Sequence, residues 1–135
     1  MFKKKICLVL LLIFILGVGS INVFAASSGY SFYMENRMVN GKNNGEYHYL
    51  DKGSVMISGS GTIVGGPSTG SKNKVHFTLV KDGFFGKEQG TVIGDEEGSV
   101  YGGYGSVEKG KYYLQIWIAD IDGYYRSGSG KVYNN

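Results

Sequence analysis

The chain has 135 residues and carries 14 lysines and arginines against 11 aspartates and glutamates. Three of the lysines lie in the first 25 residues, which hold no acid, so residues 26–135 carry 11 charges of each sign. This neutral balance, with no run of lysines or arginines, excludes an electrostatic nucleic-acid surface. The only cysteine, Cys7, also lies in the first segment, which excludes thiol nucleophiles, thiolate metal sites and disulfides from the remainder.

The first 25 residues have the pattern of a secretory signal peptide. Lysines at positions 3–5 precede an unbroken apolar run over residues 6–16, and small residues flank Phe24 as cleavage positions. The apolar run is too short to span a bilayer comfortably, and no stop-transfer pattern follows it. The sequence therefore predicts a signal peptide over residues 1–25, cleavage after Ala25, one secreted, extracellular domain over residues 26–135, and no membrane span in the mature form.

After the signal, the chain is rich in residues that favour short strands and tight turns. All 11 tyrosines lie there, as do most of the 23 glycines. Alternating patterns predict strands over residues 30–39, 46–50, 54–58, 75–80, 89–93, 99–107, 111–119 and 129–133. Asn-Gly or Asp-Gly pairs at residues 40–41, 44–45, 82–83 and 122–123 predict hairpin turns. The pattern predicts an all-β fold, a single antiparallel β-sandwich of seven to nine strands.

Residues 58–72 interrupt this alternation. They are rich in glycine and serine and include the only proline, Pro67. We expect a long loop or an edge crossover here, because strands on both sides are needed to complete one core. The Gly-Ser-Gly triplets at residues 59–61 and 128–130 are too short to establish a repeat.

The residue types that carry most enzyme chemistry are scarce after the signal. Two histidines, His48 and His76, are too few for an imidazole zinc site, and we expect both to face solvent on strands. No G-x-S-x-G nucleophile motif occurs, and no spacing singles out a catalytic pair of acids. The sequence predicts that the protein is not an enzyme and that it has no cofactor.

A weak calcium motif lies near the C-terminus. Asp120 and Asp122 precede Gly123, and two carboxylates with a turn carbonyl suit a hard cation. The complete calcium-loop pattern is absent. The favoured interpretation is a hairpin turn at residues 122–123, with Asp120 at the end of the preceding strand.

Aromatic residues are the candidate binding groups. Alternation over residues 111–119 predicts a core face of Tyr112, Leu114, Ile116 and Ile118, and an outer face with Tyr113 and Trp117. The other candidates nearby in sequence are Tyr101, Tyr104, Tyr124 and Tyr125. Exposed rings on a rigid sheet can stack on sugars or become buried against a protein partner. Two alternatives remain: the rings cover glycines in the sheets, or a second sheet or residues 58–72 cover Trp117.

The last two predicted strands carry a family resemblance. The segments K-G-K-Y-Y-L-Q-I at residues 109–116 and G-S-G-K-V-Y at residues 128–133 resemble the closing strands of small bacterial extracellular β-sandwich modules. Domains of the prepeptidase C-terminal type and some carbohydrate-binding modules end in a similar way. The resemblance implies a β-sandwich used outside the cell, and it transfers no functional residue to this chain.

These observations predict a small secreted binding protein. Its partner would be a cell-envelope glycan or another extracellular protein, contacted through the exposed aromatic residues. A secreted bacteriocin-like protein toxin is the alternative, although zero net charge is atypical of a membrane-disrupting cationic peptide. A small hydrolase or inhibitor is a further alternative.

Overall fold

A computed structural model describes residues 27–135 of the chain. The predicted signal peptide, residues 1–25, lies outside the described residues. Nine strands lie within the described range: β1 Ser27–Met34, β2 Met38–Asn40, β3 His48–Leu50, β4 Gly53–Gly65, β5 His76–Lys81, β6 Lys87–Ile93, β7 Val100–Val107, β8 Gly110–Trp117 and β9 Tyr125–Asn134. A 3₁₀ helix, Gly41–Asn44, joins β2 to β3. The prediction of an all-β fold is confirmed.

The strands form two antiparallel sheets. The first sheet has the order β1-β9-β4-β7, and the second has the order β2-β8-β5-β6, with β3 also paired to β8. Every strand pair is antiparallel. No helix within residues 27–135 is long and apolar enough to cross a membrane.

The inner faces of the two sheets share one apolar core. Tyr112, Leu114, Ile116 and Ile118 of the β8 segment are buried, as the alternation predicts. Side chains from both sheets meet them, including Tyr30, Phe32, Met34, Val55, Ile57, Phe77, Leu79 and Val132. Burying each large apolar side chain stabilises the fold by about 1.5–3 kcal/mol, so this shared core holds the two sheets together.

The expectation of successive hairpins is wrong. Among strands adjacent in sequence within the described range, only β5 and β6 pair with each other. The predicted strand over residues 30–39 divides into β1 and β2, which belong to different sheets. Of the four predicted turn pairs, those ending in Gly45 and Gly123 do use positive φ, at 69° and 78°. Gly45 ends the 3₁₀ helix between β2 and β3, which both pair with β8. Gly123 lies between β8 and β9, where the chain passes from the second sheet to the first.

The expectation of a loop over residues 58–72 is also wrong for its first half, because β4 continues to Gly65. The two Gly-Ser-Gly triplets pair directly, with Gly59 opposite Gly130 and Gly61 opposite Gly128. A Cβ atom on Gly128 would lie 2.5 Å from Cε1 of Phe32. Glycine on the inner side of both strands therefore lets the Tyr30 and Phe32 rings lie against the sheet.

Candidate binding face

The six predicted aromatic residues do not form one surface. Tyr101 and Tyr125 are on the outer side of the first sheet, with exposed fractions of 75% and 42%. Tyr104 packs against the core, and its hydroxyl donates a hydrogen bond of 2.9 Å to the Phe77 carbonyl. Tyr124 is buried, and its hydroxyl donates to the Gly70 carbonyl at 3.3 Å. These two rings have structural roles, the alternative that the sequence left open.

The expectation that Tyr113 is exposed is wrong. It lies on the outer side of β8, but only 6% of it is exposed. The ring of Tyr47 packs edge-on against it with centroids 6.5 Å apart, and Lys42 Nζ lies 5.7 Å from its centroid. The chain between β2 and β3 therefore covers a position that strand alternation alone makes external.

Trp117 lies on the outer side of the second sheet and is half-buried. His76, directly opposite on β5, stacks on the indole with centroids 4.2 Å apart. The indole Nε1–H donates to Thr78 Oγ1 at 2.9 Å, and that hydroxyl pairs with Thr91 Oγ1 at 2.7 Å. One ring face and the only donor of Trp117 are thus already engaged within the sheet.

The two histidines differ from their expected positions. His76 is half-buried in its stack with Trp117, whereas His48 is only 1% exposed. Within residues 27–135, neither ring nitrogen of His48 has a hydrogen-bond partner. Burial lowers the pKa of His48 to about 4. The expectation that His48 faces solvent is wrong, because β3 turns it inward onto β8.

Asp122 is the partner of a buried arginine. The Arg126 guanidinium is fully buried, and its Nη2 and Nη1 atoms lie 2.6 and 3.0 Å from the two carboxylate oxygens of Asp122. Its remaining N–H groups donate to the carbonyls of Glu96, Tyr124 and Asn73. Burial alone would raise the pKa of Asp122, but hydrogen bonds from Arg126 and two backbone N–H groups lower it to about 2.

A turn does form at residues 122–123, but the prediction of a hairpin there is wrong, because the flanking strands β8 and β9 lie in different sheets. Gly123 adopts φ 78°, and the Tyr124 N–H donates to Asp122 Oδ1 at 3.1 Å. The backbone carbonyl of Asp120 accepts from Asn73 Nδ2 at 2.9 Å. No three His, Cys, Asp or Glu side chains within the described part of the chain converge as a metal site. The calcium set proposed from Asp120 and Asp122 therefore has no third side-chain ligand there.

An open groove of about 900 Å³ lies on the outer side of the first sheet. Its floor is a set of hydroxyl-bearing residues on three neighbouring strands, which we call the hydroxyl face: Ser31, Tyr33, Ser60, Thr62, Ser127 and Ser129. Pairing arranges them in two rows, with Tyr33, Ser127 and Thr62 in one and Ser31, Ser129 and Ser60 in the other. Neighbouring hydroxyl positions are about 4.8 Å apart across strands and about 6.8 Å apart along them.

The groove has one polar wall and an aromatic end. Glu46 Oε1 accepts hydrogen bonds of 3.2 Å from both the backbone N–H and the hydroxyl of Ser31, at the free edge of β1. Tyr33, 52% exposed, lies at one end of the groove, and Tyr125 is nearby. Desolvation, then Glu35, then Tyr125 raise the pKa of Tyr33, so its hydroxyl remains protonated and able to donate.

This arrangement is suited to a neutral ligand with many hydroxyl groups. Serine and threonine hydroxyls both donate and accept hydrogen bonds, and tyrosine adds a flat apolar surface with a polar tip. Alternation of apolar residues does not predict this face, because residues 58–65 carry few apolar side chains. The available signal was the pair of S-G-S-G segments, residues 58–61 and 127–130, which place every serine on one side of a strand.

No protein-family model matches the chain, and no curated protein or solved structure matches it. The geometry of the hydroxyl face is therefore the basis for a functional proposal.

Proposed function

We propose that the protein is a secreted, noncatalytic binding module for a neutral cell-envelope glycan. In this proposal, cleavage after Ala25 releases residues 26–135 as a single β-sandwich domain. The observation that supports the glycan partner is the hydroxyl face, with two rows of hydroxyl groups in an open groove that ends at Tyr33. Of the aromatic contacts predicted from the sequence, this proposal keeps Tyr125, adds Tyr33, and leaves out Tyr113 and Trp117.

A glycan fits this face better than a protein partner does. The centres of protein interfaces are enriched in large apolar and aromatic anchors. The groove is instead lined mainly by small polar side chains and glycines, with Phe32 and Val39 as its phenyl and aliphatic members and Tyr33 at its end. The floor carries no charge, and the one carboxylate in the wall, Glu46, is already hydrogen-bonded to Ser31. Hydroxyl groups and a ring face are the complements of a sugar's hydroxyls and apolar ring surface.

The test is a binding assay on insoluble glycans. The full chain is expressed for export, collected from the medium, and mixed with peptidoglycan, chitin or cellulose before sedimentation. We expect retention on at least one of these polymers, and competition by its soluble fragments. Complete recovery in the supernatant with all three would contradict the proposal.

Variants locate the binding surface. Tyr33→Ala with Tyr125→Ala removes two exposed rings, and we expect about tenfold weaker retention from the lost apolar contact. Ser60→Val with Ser129→Val removes two hydroxyls from the centre of the groove and should weaken retention about fivefold. The matched control is Tyr49→Ala, since Tyr49 is 68% exposed but lies on the second sheet. An equal loss in the Tyr49→Ala control would contradict the assignment of the face.

A further inference from the structure

The hairpin between β5 and β6 ends in two exposed phenylalanines. Its sequence from Lys81 to Lys87 is K-D-G-F-F-G-K, and we call residues 82–86 the phenylalanine tip. Phe84 and Phe85 are 95% and 93% exposed, the highest values among the large apolar side chains of the described range. Their rings touch only edge to face, with centroids 4.7 Å apart. Burying one such side chain would contribute about 1.5–3 kcal/mol, and neither phenylalanine is buried within the domain.

The tip is fixed to the body of the protein at its base. The Asp82 N–H donates to the Lys111 carbonyl at 2.8 Å, and the Asp82 carboxylate lies 3.1 Å from Lys42 Nζ. Gly86 adopts φ 60°, and a Cβ atom there would lie 2.9 Å from the Tyr113 hydroxyl. The phenylalanines are therefore presented by a constrained turn, which reduces the entropy lost when they bind.

Lysines surround the base of the tip. Lys81 and Lys87 are directly opposite each other in the hairpin register, and like charges in that arrangement repel. Lys42 and Lys111 lie on either side of Asp82, at 3.1 and 3.8 Å from its carboxylate. The ammonium groups of Lys42 and Lys111 thus flank Asp82, and Lys81 and Lys87 come directly before and after the turn. An anionic surface would relieve the repulsion and complement this charge.

We propose that the phenylalanine tip docks on an anionic phospholipid surface. The two rings enter the boundary between headgroups and acyl chains, and the lysines at the base contact the phosphates. A convex tip with two apolar rings needs a matching pocket in a protein partner, whereas a bilayer admits it without one. Aromatic residues above a basic rim are also the pattern by which peripheral proteins bind anionic membranes. This docking is independent of the glycan proposal, because the tip belongs to the second sheet.

The test is cosedimentation with lipid vesicles. The exported full chain is mixed with vesicles of phosphatidylcholine alone, or of phosphatidylcholine with three-tenths phosphatidylglycerol, at low salt. We expect binding to the anionic vesicles and little to the neutral ones. Phe84→Ser with Phe85→Ser should weaken that binding at least about tenfold. Lys81→Gln with Lys87→Gln should weaken it on the order of 10- to 30-fold, at about 1 kcal/mol per lysine.

The control variant is Ile93→Ser with Ile121→Ser. These side chains are 57% and 69% exposed, and both lie towards the end of the second sheet that is opposite to the tip. It should bind anionic vesicles as the unaltered protein does, and all variants should keep the unaltered circular dichroism spectrum.

Equal binding by the phenylalanine variant, or no binding by the unaltered protein, would overturn the proposal. Concentration-dependent self-association that disappears in the phenylalanine variant, without vesicle binding, would instead identify the tip as a protein contact. Unchanged glycan retention in that variant would keep the two proposals separate.

Discussion

Gly128 lies on the inner side of β9, where the Phe32 ring occupies the space that a side chain would need. We expect Gly128→Ala to lower the free energy of unfolding by about 1–3 kcal/mol through overpacking, measured by chemical denaturation. Gly83→Ala is the control, because no heavy atom lies within 4 Å of a Cβ built there. Phe32→Leu in the Gly128→Ala background should recover part of the loss. Equal stability of the two single alanine variants would contradict this packing.

His48 gives the protein a pH-dependent stability. Its pKa is lowered to about 4 by burial, against about 6.5 for an unfolded chain. The folded state therefore binds fewer protons, so the stabilisation is complete above pH 6.5 and is lost as the pH falls towards 4. We expect a loss of up to about 3 kcal/mol over that interval. In His48→Leu the loss should be absent, as measured by denaturation at a series of pH values.

Two comparisons isolate this effect. His76→Phe keeps His48 and should retain the loss between pH 6.5 and 4. Asp122 affects stability at lower pH. Its folded pKa of about 2 lies below the unfolded value, so the stability from its ion pair is lost as the pH falls from about 4 to 2. Asp122→Asn should therefore keep the upper transition. A His48→Leu protein with unchanged pH dependence would contradict the assignment to His48.

Individual residues also show where sequence reasoning fails. The core positions of β8 follow directly from alternation, because every second side chain points to the same face. The burial of Tyr113 does not follow from alternation. It depends on Tyr47 and the 3₁₀ helix, which lie 60 or more residues earlier in the chain. Arg126 could not be predicted as buried because two of its five hydrogen bonds go to the carbonyls of Asn73 and Glu96, which are distant in sequence.

At the scale of the elements, β4 is the clearest difference from the sequence prediction. Alternation predicts a strand that ends at residue 58, but pairing with β9 extends it to Gly65. Glycine and serine have low intrinsic strand preference, and here tertiary pairing overrides it. Ser99 also stabilises this part of β4. The pairing with β7 ends at Gly59, and beyond it the Ser99 hydroxyl accepts a hydrogen bond of 3.0 Å from the Gly61 N–H.

Hydrogen exchange tests the length of β4. We expect amides of residues 58–63 to exchange slowly on average, because the whole segment pairs with β9, and those of residues 68–72 to exchange quickly, because they are exposed. Mass spectrometry of peptides from each segment measures the difference. Equally fast exchange in both segments would contradict the extended strand and, with it, the hydroxyl face.

Most strand positions were predictable from local alternation, whereas most of their pairing was not. The β5–β6 hairpin is the exception, because only a short turn separates its strands. The remaining pairs join strands that are not consecutive, and the partners in β1 and β9 are about 100 residues apart. Periodicity holds no information on such partners. The hydroxyl face is a product of that pairing, so its groove could not be derived from either segment alone.

At the scale of the whole molecule, the proposed export can be tested at the N-terminus. β1 begins at Ser27, whose first partner is Tyr133, so cleavage after Ala25 leaves both sheets complete. We expect mass spectrometry of protein from the culture medium to show Ala26 as its first residue. A protein that retains residue 1, or one that begins beyond residue 30 and lacks part of β1, would contradict the proposed processing.

The position of β9 in the middle of the first sheet has a consequence for biosynthesis. Both β1 and β4 hydrogen-bond to β9, although β9 is the last of the described strands to leave the ribosome. A nascent chain without it has no partner for β1, and the entropy of closing so long a loop opposes early assembly. Without β9, β1 and β4 are not joined, and the first sheet stays incomplete. Late completion of this sheet would suit the proposed export, because a narrow secretion channel admits only an extended chain.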